Sequence, residues 1–235
     1  MESISQPKVV IAGGSSGIGL ATARLLSNTF QVTVTGRNAS RLQSAGNLHH
    51  QISAAAIDST DRKALDTFFK TQGTFHHLVL ALSGAKGGGT FADLSLQQLR
   101  EGFEGKFWPH LETLQAALPY LASGGSVTFI TATSATAKLP GTSGLAAING
   151  ALELMVPVLA KELKPLRVNA VSPGVIDTAW WDFLPAEAKQ QTFDHLAAQT
   201  LVGRVGKAED VAAAISFLIS ETYVTGQVIR CDGGL

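Results

Sequence analysis

Short apolar segments rich in β-branched residues alternate along this chain with longer segments of helical periodicity. The helical segments begin near Gly17, Ala39, Asp61, Ser95, Gly144 and Ala208, with a shorter one over 185–199. The apolar runs span 9–12, 32–35, 52–57, 78–82, 127–131, 168–171 and 228–231. Strands that are apolar on both faces and alternate with helices form parallel sheets covered by helices on each side. The pattern therefore predicts a doubly wound α/β fold, in which ligands bind beyond the carboxyl ends of the strands.

Length and composition favour one soluble domain. The chain has 235 residues, of which 45% are hydrophobic and 15% charged, as is typical of a globular protein. Its 18 basic and 18 acidic residues give no net charge that would attract nucleic acid or an anionic membrane. No apolar run approaches the roughly 20 residues that a membrane-spanning helix needs, and the start of the chain does not resemble a signal peptide. We expect residues 1–235 to form a single cytoplasmic domain without nucleic-acid or membrane partners.

A glycine-rich turn joins the first predicted strand to the first helix. The segment reads AGGSSGIG over 12–19. Glycine lets backbone amides approach a pyrophosphate, which then lies at the positive end of the following helix. The strand before the turn and the helix after it are the context that a dinucleotide site of the Rossmann type requires. Gly13, Gly17 and Gly19 are the predicted contacts.

The residues after the second and third strands indicate which dinucleotide binds. Gly36 is followed by Arg37 and Asn38, where an NAD-binding protein would place an acidic residue on the ribose. Arg37 can pair with a 2′-phosphate, so NADP(H) is predicted to be preferred over NAD(H). Alternatively Arg37 is a solvated residue at a helix start. After the third strand, Asp58 can accept from the adenine amino group or cap the helix that begins near Asp61.

Five segments together resemble the short-chain dehydrogenase/reductase family from about residue 8 to residue 234. They are GGSSGIG at 13–19, GR at 36–37, QAALP at 115–119, RVNAVSPGVIDT at 167–178 and GQVIRCDGG at 226–234. The resemblance implies a seven-stranded Rossmann sheet and a homodimer or homotetramer formed through helices around 95–121 and 142–164. It also implies cofactor contacts at Ser15, Ser16, Ile18, Asp58, Ser83, Gly84, Pro173, Gly174, Ile176 and Thr178.

The chain departs from the family at the catalytic tyrosine. The family uses a serine, a tyrosine, a lysine four residues after it and an asparagine in the preceding helix. This chain has only two tyrosines, Tyr120 and Tyr223, and neither has a lysine four residues later. Alignment of residues 140–155 places Leu145 at the tyrosine position and Asn149 at the lysine position. The usual proton donor is therefore missing.

The serine and asparagine positions also differ. The same alignment places Ala132 at the serine position, with Thr131 and Thr133 as neighbours that a shift of one residue would bring in. Counting back from Leu118-Pro119 places Lys106 at the asparagine position. Lysine and asparagine are thus exchanged, and our hypothesis is that Lys106 supplies an ammonium group from the opposite helix, with Asn149 as its partner. A buried lysine has a lowered pKa and can hydrogen-bond or protonate a carbonyl oxygen. The alternative is a Lys106 that points into solvent.

Two functions fit these residues. The first is an NADPH-dependent oxidoreductase with an atypical catalytic site that acts on a carbonyl or quinone-like small molecule. The second is a non-catalytic NADP(H)-binding sensor or regulatory subunit, because only the reactive end of the site is lost. The aromatic residues Trp180, Trp181 and Phe183 lie where the family has its substrate lid, and they either stack on substrate or pack the lid. The paired histidines at 49–50 and 76–77 lack metal-ligand spacing, so we expect no metal.

Overall fold

Apolar, mostly buried strands pair in parallel at the centre of the molecule. The computed structural model describes residues 6–47, 49–84 and 86–235. The strands are β1 (Lys8–Ala12), β2 (Gln31–Gly36), β3 (Ile52–Ala56), β4 (Phe75–Leu80), β5 (Leu121–Ile130), β6 (Arg167–Pro173), β7 (Ile176–Asp177), β8 (Gly206–Lys207) and β9 (Val228–Cys231). Seven of them form one sheet in the order β3-β2-β1-β4-β5-β6-β9, and all neighbours in it are parallel. The predicted doubly wound seven-stranded Rossmann fold is confirmed.

Helices connect successive strands, as parallel pairing requires. They are α1 (Gly17–Leu26), α2 (Ala39–Gly46), α3 (Arg62–Gln72), α4 (Leu96–Gly102), α5 (Trp108–Ala117), α6 (Ser143–Glu162), α7 (Ala186–Ala197) and α8 (Ala208–Ser220). Polar residues start several of them at the positions that the sequence predicts. Asn38 accepts from an amide of α2, Asp61 from two amides of α3 and Ser95 from an amide of α4.

One apolar cluster lies on each face of the sheet. The first joins β1, β2 and β6 to α1 and α8, with Val9, Val34 and Ile215 fully buried. The second joins β4, β5 and β6 to α3, α5 and α6, with Phe75, Phe129 and Leu152 fully buried. Because the strands are buried on both faces, their carboxyl ends form one shared edge where the loops meet. We call this the carboxyl edge.

The longest helix, α6, differs from the sequence expectation in its length and composition. It contains Pro157 and continues to Glu162. Its 20 residues are also long and apolar enough to cross a membrane by length and composition, which the sequence analysis had not anticipated. However, Leu152 and Val156 are fully buried on its inner face. The helix therefore packs its inner face on the sheet, while its outer face is exposed.

Candidate active site

The glycine-rich turn lies at the carboxyl end of β1. Gly13 has φ +84° and a Cβ there would overlap the carbonyl of Ala81, so only glycine fits this close approach to the loop after β4. The amides of Gly13 and Gly14 donate to the Thr35 carbonyl at 3.0 and 3.1 Å, which ties the turn to β2. Ser16 is the N-cap of α1 and makes no side-chain cap bond. The first amides of α1 are thus directed at the carboxyl edge, where they can bind an anion.

Arg37 follows β2 beside this turn. Its side chain is exposed, next to the exposed Asp58 that follows β3. Hydrogen bonds from the Thr60 amide and hydroxyl lower the pKa of Asp58, and the charge of Arg37 lowers it further. The capping role considered for Asp58 belongs to Asp61, which accepts from the first amides of α3. Asn38, predicted as a cofactor contact, accepts from the Arg41 amide at 2.9 Å and so caps α2.

The remaining predicted cofactor residues lie at the same edge. Ser83 and Gly84 follow β4, and Pro173 ends β6. Ile176 begins the short strand β7 and is buried, and a Cβ on Gly17 would lie 3.5 Å from Thr178. Gly174 contacts Asp232, because a Cβ at this glycine would overlap the Asp232 backbone. The fold therefore gathers these residues around the glycine-rich turn, with Ser15 and Ile18 inside it.

Lys106 lies where the helix geometry changes, and its amine bonds to the end of β5. Between α4 and α5, residues Phe103–Phe107 form a π-helical turn, a feature found often at functional sites. The Lys106 amine donates to the main-chain carbonyl of Thr131 at 3.1 Å, directly after β5. A Cβ on Gly84 would lie 3.5 Å from the Lys106 Cβ. Lys106 thus joins the carboxyl edge beside the loop after β4.

Burial of the ammonium group lowers the pKa of Lys106 to about 8, although the charge of Glu153 opposes this shift. The residue as a whole keeps partial exposure. The predicted alternative, a lysine that points into solvent, is wrong. A buried amine with a pKa of about 8 can donate and accept protons close to neutral pH.

His110 holds the helix that carries Lys106. Its ring nitrogens lie 2.7 Å from the Lys106 carbonyl and 3.1 Å from the Leu80 carbonyl. The ring is fully buried and stacks on Phe129 with centroids 6.0 Å apart. Burial, and next the charge of Lys106, lower the pKa of His110 to about 3, so the ring is neutral at physiological pH. A neutral ring has one N–H, so it donates to one of these two carbonyls and lies against the other.

Asn149 does not pair with Lys106 as predicted. Its amide nitrogen donates to the Ser134 hydroxyl at 3.1 Å and to the Leu145 carbonyl at 3.0 Å. The residue is 3% exposed, and its Oδ1 atom is buried without a hydrogen-bond partner among the described residues. Such an acceptor favours a donor supplied by a bound molecule. Lys106 and Asn149 do not bond to each other, because the Lys106 amine donates to the Thr131 carbonyl at the end of β5 instead.

Two hydroxyl groups near the family serine position have different hydrogen-bond partners. Thr133 is buried and donates to the Pro173 carbonyl at 2.5 Å, so its proton is already used in the fold. Ser134, which the sequence analysis did not select, bonds to Asn149. Alignment with the family did not indicate Ser134, because this residue lies two positions beyond Ala132. Its contact depends on the turn Thr133–Ala135.

A carboxylate missed by the sequence analysis lies behind these groups. Glu153 is on α6, one turn after Asn149, and accepts from the hydroxyls of Thr131 and Ser172, both at 2.7 Å. An acidic residue inside an otherwise apolar helix is a signal by which it could have been found. It connects α6 to the carboxyl ends of β5 and β6.

Neither tyrosine reaches this site. Tyr120 directly precedes β5, and Tyr223 is 98% exposed in the loop that leads into β9. Both therefore lie at the amino ends of strands, on the opposite edge of the sheet. Leu145, at the family tyrosine position, lies near the glycine loop 87–89, with its Cδ1 3.9 Å from a Cβ placed on Gly88.

The aromatic residues of the predicted lid pack against one another. Trp180 lies edge to face with Trp181 and Phe183, at centroid distances of 4.9 and 5.4 Å, and Trp181 contacts Phe193 in the same way at 5.5 Å. The Trp180 indole nitrogen is 3.4 Å from the Gly84 carbonyl. These contacts connect the segment after β7 to the loop after β4 and support the packing role. Phe183 remains 64% exposed, so stacking on a substrate stays a prediction.

The chain is similar to known proteins over nearly its whole length. A family model described as enoyl-(acyl carrier protein) reductase matches residues 12–235. The putative ketoacyl reductase 2 of granaticin polyketide synthase from Streptomyces violaceoruber is 31% identical over 97% of this chain and 95% of its own length. The chain belongs to the short-chain dehydrogenase/reductase family, whose members are oxidoreductases that bind a nicotinamide cofactor.

Solved structures show the same fold. A small-chain dehydrogenase in complex with NADPH is 32% identical, with a TM-score of 0.85 over 98% of both chains. An NADPH-bound short chain oxidoreductase from Pseudomonas aeruginosa PAO1, described as containing an atypical catalytic center, is 28% identical. Its TM-score is 0.90 over 97% of this chain and 96% of that one.

Proposed function

We propose that this protein is an NADPH-dependent oxidoreductase that reduces a carbonyl or quinone-like small molecule, with Lys106 in place of the missing tyrosine. The observation that carries the proposal is the buried Lys106 amine at the carboxyl edge, 3.1 Å from the Thr131 carbonyl. The NADPH-bound relatives of the same fold support the cofactor assignment.

The residues present fit a dinucleotide. The glycine turn has no room for a Cβ at Gly13, the first amides of α1 are directed at the edge, and the buried Oδ1 of Asn149 needs a donor such as a ribose hydroxyl. The exposed guanidinium of Arg37 is placed to pair with a 2′-phosphate, which supports NADPH over NADH. When bound, this cofactor supplies a hydride with its electron pair to the substrate carbon.

Lys106 is the proton donor in this proposal. As the substrate carbon accepts the hydride, the carbonyl π electrons move to oxygen, and the Lys106 ammonium donates its proton to that oxygen. The neutral amine then takes a proton from solvent, which restores the starting state. A pKa lowered to about 8 by burial leaves the amine mostly protonated at neutral pH and still able to release its proton. Asn149 and Ser134 would hold the cofactor ribose.

The site also supports a second candidate, an NADP(H)-binding protein without chemistry. Both tyrosines lie at the opposite edge of the sheet, so the usual proton donor is absent from the carboxyl edge. Binding of the cofactor by the predicted residues does not require a tyrosine.

We further propose that the protein is a homo-oligomer that associates through the outer face of α6. Leu154 is 78% exposed and Val158 51% exposed on this face, and nothing lies within 4 Å of a Cβ placed on Gly150. Small and apolar residues on an exposed helix favour packing against a second helix.

The deciding experiment measures NADPH consumption against a panel of quinones, aldehydes, ketones and dicarbonyls, with identification of the product. Lys106→Met is expected to lower kcat by about 100- to 10 000-fold, because the proton donor is lost. Lys70→Met, which removes an exposed lysine of α3, should behave like the parent protein. NADPH binding without turnover of any panel member would instead support the non-catalytic candidate. Full activity in Lys106→Met would refute the role of Lys106.

A further inference from the structure

One threonine joins the Lys106 amine to a carboxylate. The main-chain carbonyl of Thr131 accepts from the amine at 3.1 Å, and the Thr131 hydroxyl donates to Glu153 at 2.7 Å. Ser172, on β6, donates to the same carboxylate oxygen at 2.7 Å. Thr131 is 3% exposed and Ser172 1% exposed, so the contacts to Glu153 are formed in the interior.

We propose that Glu153 is a positioning residue that keeps Lys106 protonated and holds it towards the carboxyl edge. The inference rests on the proposed function of Lys106, and it adds a group that does not itself touch substrate. A buried ammonium loses the stabilisation that water gives it, and a nearby negative charge in the interior restores part of it. Glu153 lies on the side-chain side of Thr131, and its charge acts on the Lys106 amine through space.

Other titratable groups do not provide this charge. Within the described parts of the chain, the groups that interact electrostatically with Lys106 are Glu153 from α6 and His110 from α5. His110 is neutral because burial lowers its pKa to about 3. The charge of Glu153 raises the pKa of Lys106, against the larger effect of burial. Without that charge, more of the amine would be neutral at working pH and unable to donate a proton.

A purely structural role can be separated from this one. The two hydroxyl bonds connect α6 to β5 and β6, and a glutamine oxygen can accept both of them. Glu153→Gln therefore keeps the hydrogen bonds and removes the charge. If Glu153 is only structural, this variant keeps its hydrogen bonds and leaves the titration of Lys106 where it was.

The test is an NMR titration of the Lys106 side-chain amine in the full-length protein, with its signal assigned from its loss in Lys106→Met. We expect Glu153→Gln to lower the titration midpoint by about half a pH unit or more. Glu162→Gln, which removes an exposed carboxylate at the end of the same helix, should leave the midpoint unchanged. Equal midpoints in the parent protein and in Glu153→Gln would overturn the inference.

This readout is independent of turnover. If no substrate reacts, the proposed function fails while the titration still decides whether Glu153 controls Lys106. If substrate reacts, the loss of kcat at high pH should begin at lower pH in Glu153→Gln. Should that variant not fold, Glu153→Met carries the same test, because Thr131 already has a second acceptor in the Val171 carbonyl at 3.3 Å.

Discussion

At the scale of single residues, Arg37 is the group whose effect on cofactor choice is simplest to isolate. It is exposed at the carboxyl end of β2, and its charge lowers the pKa of the nearby Asp58. A guanidinium pairs with a phosphate through two charge-assisted hydrogen bonds, which are stronger than neutral ones. A 2′-hydroxyl offers no such charge, so the residue should discriminate between the two nicotinamide cofactors.

Arg37→Ala should therefore weaken NADPH binding by about 10- to 100-fold while NADH binding changes little. Calorimetric titration of both cofactors into the variant measures this. Arg41→Ala removes an exposed arginine one turn into α2 and is the matched control. Equal weakening of NADPH and NADH by Arg37→Ala would argue against a phosphate contact.

The site residues differ in how far the sequence could predict them. Lys106 was found by counting along a helix from Leu118-Pro119, and the structure brings it to the carboxyl edge. Its contact with Thr131 was not predictable, because it joins a π-helical turn to a residue 25 positions later in the chain. Ser134 and Glu153 were missed because their contacts join segments far apart in the chain.

At the scale of elements, α6 combines two surfaces with different chemistry. Its inner face carries Asn149 and Glu153 among buried apolar residues such as Leu152. Its outer face is apolar and exposed at Leu154 and Val158. Sequence periodicity alone does not separate these faces clearly, since small and apolar residues occur on both. The helix that holds the candidate catalytic groups is thus also the proposed contact between subunits.

Leu154→Glu should convert the oligomer to a smaller species, because a charge buried between two apolar helices is strongly unfavourable. Light scattering coupled to size-exclusion chromatography measures the mass of each form. Gln43→Glu adds the same charge at an exposed position of α2 and should leave the mass unchanged. An unchanged mass in Leu154→Glu would place the subunit contact on another surface.

At the scale of the whole molecule, most of the fold could be predicted because the alternation of strand and helix repeats along the chain. Each of the seven predicted strands has its counterpart in the sheet. The pair β7-β8 was not predicted, because two-residue strands such as Ile176–Asp177 carry no periodicity. The start of β4 was also missed, because His76 and His77 interrupt its apolar pattern.

The half-buried His77 and the fully buried His110 should make the stability of this fold depend on pH. Burial, and next the charges of Arg167 and His76, lower the pKa of His77 to about 4. Burial and the charge of Lys106 lower that of His110 to about 3. The ordinary histidine pKa in an unfolded chain is about 6.5. Between pH 6.5 and 4 the unfolded chain therefore binds more protons than the folded one, and acid favours unfolding.

The free energy of unfolding should fall by about 1 kcal/mol per pH unit for each histidine as the pH drops from 6.5 towards 4. Urea unfolding at half-unit steps of pH measures the slope. His77→Gln cannot titrate yet can still hydrogen-bond Ser126, which lies 2.8 Å from His77 Nδ1, so the variant should lose about half of the slope. His195→Gln changes an exposed histidine of α7 and should keep the full slope. If the slope in His77→Gln equals that of the parent protein, His77 is protonated in the folded protein as well. The acid sensitivity would then arise from other groups.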